Sequence, residues 1–285
     1  MDLKLMKSVW GMTGSLESKL QQIAKAGYAG VESPLPSLED ESYFLELLER
    51  FNLELIVQIY TGYWDKGDSY INTLDDHKAT LEIQLERASL FNPLLVNSLS
   101  AKDSMPYVEQ LSFFEHAIEL EKQIKIKVAH ETHRGRATFT PWGTAQLIND
   151  MPDLHLTADF SHWCNVCESM LQDQTENLKR IIPHVIHIHG RVGFEQGPQV
   201  PDFRAPEYEY TLVQHEKWWD EICTFQREQG SSYLTFTPEF GPPGYMHTRP
   251  FTNEPVVDLW DICFEMGRRF NSHFIQNKNS SRPFS

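Results

Sequence analysis

Cysteine is scarce in this chain: Cys164, Cys167, Cys223 and Cys263 are all there is in 285 residues. Long apolar runs are missing too. None approaches the ~20 residues of a membrane span, so no membrane partner is expected. The first residues, Met1-Asp2-Leu3-Lys4-Leu5-Met6-Lys7, interrupt their apolar positions with charge and lack a signal-peptide core. A cytoplasmic protein is the expectation, and its four thiols then read as reduced. Positive charge is in deficit: 25 Lys and Arg stand against 40 Asp and Glu, a net −15. Duplex-binding proteins present a basic face to phosphates, so nucleic acid is not the expected partner. The composition does support a core, with 40% hydrophobic and 12% aromatic residues.

What is present is an alternation. Short β-rich runs fall at 7–10, 30–33, 53–60, 94–98, 125–131, 154–159, 184–189 and 233–239. Helical spacing separates them at 15–26, 37–51, 74–91, 106–123, 140–149, from beyond Asp159 to about 182, 211–229 and 253–270. Ser15 reads as an N-cap and Gly27 as a helix stop. Thr140-Pro141 reads as an N-cap followed by Pro at the first helical position. A long loop, 190–210, precedes the seventh helix of this series. Strict alternation implies a parallel sheet, and eight units match a single (β/α)8 barrel, whose usual size is ~250 residues. An open doubly wound sheet is the competitor, but no Gly-rich phosphate turn follows the first strand. Residues 1–276 are expected to form one domain, with 277–285 a disordered polar tail.

The ends of the later strands carry the chemistry. Glu131 sits in His130-Glu131-Thr132-His133-Arg134-Gly135. Asp159 sits in Asp159-Phe160-Ser161-His162, His189 follows His187, and Glu239 ends the eighth strand. In a barrel these C-terminal ends converge on one face. A lone acid after a strand is more often a cap or a surface charge, and a lone His more often a core residue. Four successive strands ending this way favour a metal site, because three clustered carboxylates repel unless a cation joins them. An O3N set of Glu131, Asp159, His189 and Glu239 suits Mn²⁺, Mg²⁺, Co²⁺ or Fe²⁺ better than a thiol-rich zinc site does. His189 is preferred to His187 because it lies nearer the strand end. His187, two residues earlier, falls on the same face and deeper.

Around this set stand candidate substrate contacts. His133 and Arg134 follow Glu131, although His133 equally suits bracing it. His162 suits substrate contact or support of a ligand. Arg191 is placed to hold a hydroxyl or an oxyanion. Glu32 reads either as a substrate contact or as a solvated carboxylate. Trp10, Tyr60, Trp64, Trp142 and Trp163 lie near the predicted active face, where an aromatic wall competes with plain packing. Trp218 and Trp219 read as core or interface residues. Cys164-Asn165-Val166-Cys167 has redox-motif spacing but lies beside Asp159, and reads as ordinary thiols.

With these motifs in place the chain resembles the xylose-isomerase-like TIM-barrel superfamily of sugar isomerases and epimerases, over about 7–270. The carriers are Glu131 in His-Glu-Thr-His-Arg-Gly, Asp159 and His162 in Asp-Phe-Ser-His, His189 in His-Ile-His-Gly-Arg, and Glu239 in Thr-Pro-Glu-Phe-Gly. Ketose 3-epimerases of this group hold one divalent metal through a Glu, an Asp, a His and a Glu at these strand ends. The resemblance implies one such ion (Mn, Co or Mg, with Zn or Fe as alternatives) and Glu131 and Glu239 as the acid/base pair. The chemistry it implies is proton transfer through a metal-stabilised enediolate. Proton return to the neighbouring carbon gives isomerisation, return to the opposite face gives epimerisation, and loss of a β-hydroxyl gives dehydration, as in inosose dehydratases. The segment 190–206 is not the usual epimerase loop. Endonuclease-type members need further His ligands after the second and third strands and a Glu after the fourth. Those ends here carry Glu32-Ser33, Gln58-Ile59-Tyr60 and Asn97-Ser98. A non-catalytic sugar-binding role is the third reading, and retention of both Glu residues argues against it. No phosphate loop is evident, so a free sugar or cyclitol is the expected substrate. A homo-oligomer is what the resemblance leads one to expect.

Overall fold

Each strand is followed by at least one helix, and the eight strands pair in sequence order until the last meets the first. In the computed structural model, residues 1–63, 66–67 and 70–280 are described, apart from the side chains of 277–280. The strands are β1 Asp2–Ser8, β2 Gly30–Pro34, β3 Glu54–Tyr60, β4 Leu95–Leu99, β5 Val128–Glu131, β6 His155–Ala158, β7 Val185–His189 and β8 Tyr233–Thr237. They form a closed barrel, β1 to β8, in which every neighbouring pair is parallel. The helices are α1 Leu16–Lys25, α2 Glu41–Phe51, α3 Leu74–Ser89, α4 Tyr107–Ile124, α5 Pro141–Asp150, α6 Phe160–Val166, α7 Thr175–Ile181, α8 Glu209–Glu228 and α9 Leu259–Ser280. This is the expected (β/α)8 barrel. Among the described residues no helix is long and apolar enough to cross a membrane.

Local chemistry sets the boundaries. Ser15 accepts from Ser18 N, and Thr140 accepts from Gly143 N with Pro141 at the start of the helix, as expected. Thr73 and Asp76 form a reciprocal capping box on α3. Gly27 closes α1 at φ +82°, a backbone region that disfavours side chains.

Two apolar layers result. The outer one lies between strands and helices and includes Val31, Val57, Val96, Leu156, Ile188 and Phe236. The inner one is small: Met6, Ile56, Leu95 and Ala129 form a floor inside the barrel, with Ile186 against it. Above that floor the interior turns polar. Glu32, Gln58, Asn97, Glu131, Asp159, His187, His189, Thr237 and Glu239 are all buried. Buried polar groups are costly unless paired, so this layer is held by its own hydrogen bonds.

Several boundaries differ from expectation, β5 starting at Val128 rather than 125 and α9 ending at Ser280 rather than 270. β1 spans Asp2–Ser8 rather than 7–10. Its charged start hid it, because Lys4 pairs with Glu54 near the open lower end of the barrel. The helix expected from Asp159 to about 182 is two helices, α6 and α7, interrupted where Glu168 and Leu171 adopt positive φ. The last helix starts at Leu259, not 253. Before it, Thr248 bridges Pro255, and Phe251 and Asn253 take positive φ. Of the expected tail, 277–280 continue α9, and 281–285 lie outside the described residues.

Candidate metal centre in the barrel mouth

A bulge in β7 prepares the site. Leu156 lies opposite Val185 and Thr157 opposite His187, so Ile186 is the extra residue. Ile186 packs on the inner floor, while His187 reaches Glu32 inside the barrel. Both therefore turn inward, and His189 follows on the same side as His187. Gly190 lets the chain leave the strand, because a Cβ there would lie 2.0 Å from the Phe236 ring.

Glu131, Asp159, His189 and Glu239 come together as expected, with one ligand atom from each within 4.8 Å of the others. Their exposures are 1%, 0%, 0% and 3%. His189 Nδ1 lies 2.9 Å from Glu239 Oε2, 3.7 Å from Glu131 Oε1 and 4.0 Å from Asp159 Oδ2. That nitrogen makes no hydrogen bond. A buried ring nitrogen facing three carboxylates needs a proton or a metal cation between them. Bonds of ~2.1 Å place donor atoms ~3 Å apart at right angles and ~4.2 Å apart across an ion, and the 2.9–4.0 Å spacings fall in that range. The donor set therefore fits a small divalent ion.

The electrostatics of the two glutamates diverge. Burial opposes charge on Glu131, but the His189 imidazole outweighs it and holds the carboxyl down at about 2. Asn97 Nδ2 also donates to Glu131 Oε2 at 3.0 Å. Burial pushes Glu239 up, and the negative charge of Glu131 adds to the push. Burial opposes a proton on His189, yet Glu239, Glu32 and Glu131 raise it well above the ordinary range.

Arg191 joins this cluster, and its buried Nη1 has no hydrogen-bond partner. Its Nη2 pairs with Asp159 Oδ2, lies 3.0 Å from His162 Nε2 and 3.5 Å from Glu239 Oε2. Ser161 Oγ accepts from Arg191 Nε at 3.2 Å and donates to Asp159 Oδ1. His162 is buried, and its Nδ1 has no partner. Its ring lies 3.8 Å, centroid to centroid, from that of His133. Arg134 donates to Asn165 Oδ1 at 3.3 Å and sits 5.1 Å from the Tyr245 ring centre.

Glu32 overturns one expectation. It is neither a solvated carboxylate nor turned to the mouth, being 1% exposed with both oxygens occupied by His187, His189, Asn97 and Thr237. The aromatic candidates take different places. Trp10 meets Tyr245 edge to face at 5.1 Å and lies 5.9 Å from Arg191. Trp163 is fully buried and donates to Thr138 O, Trp142 is exposed on α5, and Trp64 lies outside the described residues. Trp218 and Trp219 are core residues of α8. Burial pushes Cys164 up, and it raises Cys167 to about 11, so neither is a reactive thiolate.

Several residues escaped sequence reading. Tyr245, in the loop after β8, touches Trp10, Arg191, Arg134 and His133. Gln199, within the long 190–210 loop, accepts from Gly241 N at 2.7 Å and donates to its carbonyl at 3.4 Å. A Cβ on Gly241 would lie 2.2 Å from the Trp10 ring, so the clamp holds that backbone flat beneath Trp10. A cavity of about 630 Å³ opens at the ends of β3 to β5, lined by Thr61, His77, Lys102, Met105 and Arg136 among others. The proline and glycine of Gly241-Pro242-Pro243-Gly244-Tyr245 were the sole signal for Tyr245.

No family model matches the chain, and no curated protein does. Solved structures do. A 3-keto-D-glucoside 4-epimerase from E. coli matches at TM-score 0.63 and 12% identity, over 95% of this chain and 100% of that one. A xylose isomerase-like TIM barrel protein from Mycobacterium smegmatis, in complex with magnesium, matches at 0.61 and 12%, over 96% and 97%. An endonuclease IV from Thermus thermophilus matches at 0.54 and 12%, over 97% and 100%. Dehydratases share the fold as well. Across these different chemistries the common element is architecture: the chain has the fold of the xylose-isomerase-like TIM barrels.

Proposed function

We propose that the chain is a divalent-metal-dependent sugar isomerase or epimerase acting on a free sugar or cyclitol. The observation that carries this is the convergence of Glu131, Asp159 and Glu239 on an unpartnered His189 Nδ1 in a buried barrel mouth. These four residues would hold the ion. When bound, it supplies Lewis-acid polarisation of a carbonyl oxygen, which acidifies the neighbouring C–H. The chain supplies the rest. Glu131 and Glu239 both approach His189 Nδ1, at 3.7 and 2.9 Å, one to take a proton from carbon and the other to return one. Arg191 holds Asp159 and His162 in place. His162 Nε2 accepts from Arg191, so its buried Nδ1 carries a hydrogen and awaits an acceptor, a role a sugar hydroxyl fills. His133, Arg134 and Trp10 border the same space with Tyr245.

The test is metal stoichiometry after separate dialysis against Mn²⁺, Co²⁺ and Zn²⁺, with Glu131→Gln as control. The expected result is about one Mn²⁺ or Co²⁺ per chain, lost in the variant. A ketose and cyclitol screen in D₂O then distinguishes epimerisation, isomerisation and dehydration by product. Several tightly held Zn²⁺ would point to nuclease chemistry, and absence of a specific metal would leave a binding role as the better reading.

A further inference from the structure

Glu32 lies at the end of β2, outside the proposed ligand set. It nevertheless receives four donors from three other strands. His189 Nε2 is 3.0 Å from Oε1, and Asn97 Nδ2 is 3.1 Å from the same oxygen. His187 Nε2 is 3.2 Å from Oε2, and Thr237 Oγ1 is 2.6 Å from it. Such a carboxylate is acceptor only, so each facing nitrogen must present a hydrogen.

That requirement selects a tautomer. With its hydrogen on Nε2, neutral His189 has its lone pair on Nδ1, the nitrogen that faces Glu131, Asp159 and Glu239. Asn97 Nδ2 also lies 3.4 Å from His189 Nε2. Without the carboxylate, that amide N–H would favour the opposite tautomer, with the lone pair on Nε2 and a hydrogen aimed at the site. His187 Nε2 likewise faces Glu32 and presents a hydrogen to it. Its Nδ1 lies 2.7 Å from Thr235 Oγ1 and 3.2 Å from the Thr235 carbonyl oxygen. The second imidazole is thereby used up as a brace for Glu32.

We infer that Glu32 is a positioning residue that commits His189 to bind metal through Nδ1, with His187, Asn97 and Thr237 holding Glu32 in register. The inference rests on the proposed metal centre. Carboxylate–imidazole–metal relays both orient the ring and raise its basicity, and losing the outer partner typically weakens metal binding ~10–100-fold. In Glu32→Gln one of the two oxygens becomes an amide donor. Either the His189–Asn97 pair or the His187–Thr237 pair then faces a donor instead of an acceptor.

Two measurements test this. Mn²⁺ titration followed by electron paramagnetic resonance should show Glu32→Gln binding ~10–100-fold more weakly than wild type, with Glu32→Asp recovering part of the loss. Wild-type protein labelled with ¹⁵N-histidine and loaded with Cd²⁺ should show His189 bound through Nδ1 and protonated at Nε2. That signature does not depend on the variant folding, and a role confined to stability would not set it. Equal Mn²⁺ affinity in Glu32→Gln, or Cd²⁺ bound through Nε2, overturns the assignment of Glu32 while leaving the metal centre standing. A wild-type protein that binds none of Mn²⁺, Co²⁺ or Mg²⁺ overturns the centre itself, and this role with it.

Discussion

Glu131 and Glu239 share one imidazole but sit in opposite electrostatic settings. The first is stabilised as a carboxylate by His189 and Asn97, and the second is pushed toward protonation by burial and by Glu131. Environments that separate two carboxyl groups in this way are how one site provides both a base and an acid. Glu131→Gln and Glu239→Gln are each expected to lower proton exchange between substrate and D₂O by ~10²–10⁴-fold, the usual contribution of a positioned acid or base. Wild-type exchange in either variant would sink the paired mechanism. At this scale the sequence was readable where residue type and strand end coincide, as at Glu131, Asp159, His189 and Glu239. It was unreadable at Glu32 and Arg191. Val31-Glu32-Ser33 looks the same whether the acid is solvated or walled in by β4, β7 and β8, because its partners are distant in sequence. The bonds of Arg191 to Asp159 and His162 likewise appear only once β6 and β7 are side by side.

At the scale of elements, two histidines outside the site seal helices against the barrel. His130 on β5 takes a 2.6 Å contact from Ser100 Oγ and packs edge to face on Phe114 of α4. His215 on α8 accepts from Gly193 N at 3.3 Å and lies against Trp218. Burial lowers both to about 4, from an ordinary value of 6.5. Between those values the unfolded chain binds protons that the folded chain refuses, so stability falls as pH falls from 6.5 toward 4. Each residue contributes up to about 1.4 kcal/mol per pH unit in that window. Urea denaturation at several pH values checks it, and a flat profile from about 6.5 to about 4.5 would contradict the assignment. Helix starts with caps were legible from Ser15 and Thr140. The interruption between α6 and α7, and the late start of α9, were not. Both depend on left-handed residues other than glycine, at Glu168, Leu171, Phe251 and Asn253, where composition gives little warning.

For the whole molecule the proposed ion is also a matter of stability. A ligand that binds only the folded chain adds about 2.7 kcal/mol at a hundredfold excess over its dissociation constant. Mn²⁺ or Co²⁺ should therefore raise the thermal midpoint by several degrees, EDTA should reverse the shift, and Glu131→Gln should show none. A wild-type midpoint indifferent to every divalent ion would argue against the centre. The architecture itself was available from alternation, because eight amphipathic helices between eight apolar strands have few ways to bury both. The four converging strand ends followed from that closure, since parallel strands in a barrel must deliver their C-termini to one face. What no linear pattern contains is the angular placement of side chains inside the ring. The bulge at Ile186 turns two successive residues inward, Glu32 meets β7 across the barrel, and Gln199 pins Gly241 under Trp10. These depend on register and on contacts between strands far apart in the chain, which exist only after the barrel has closed.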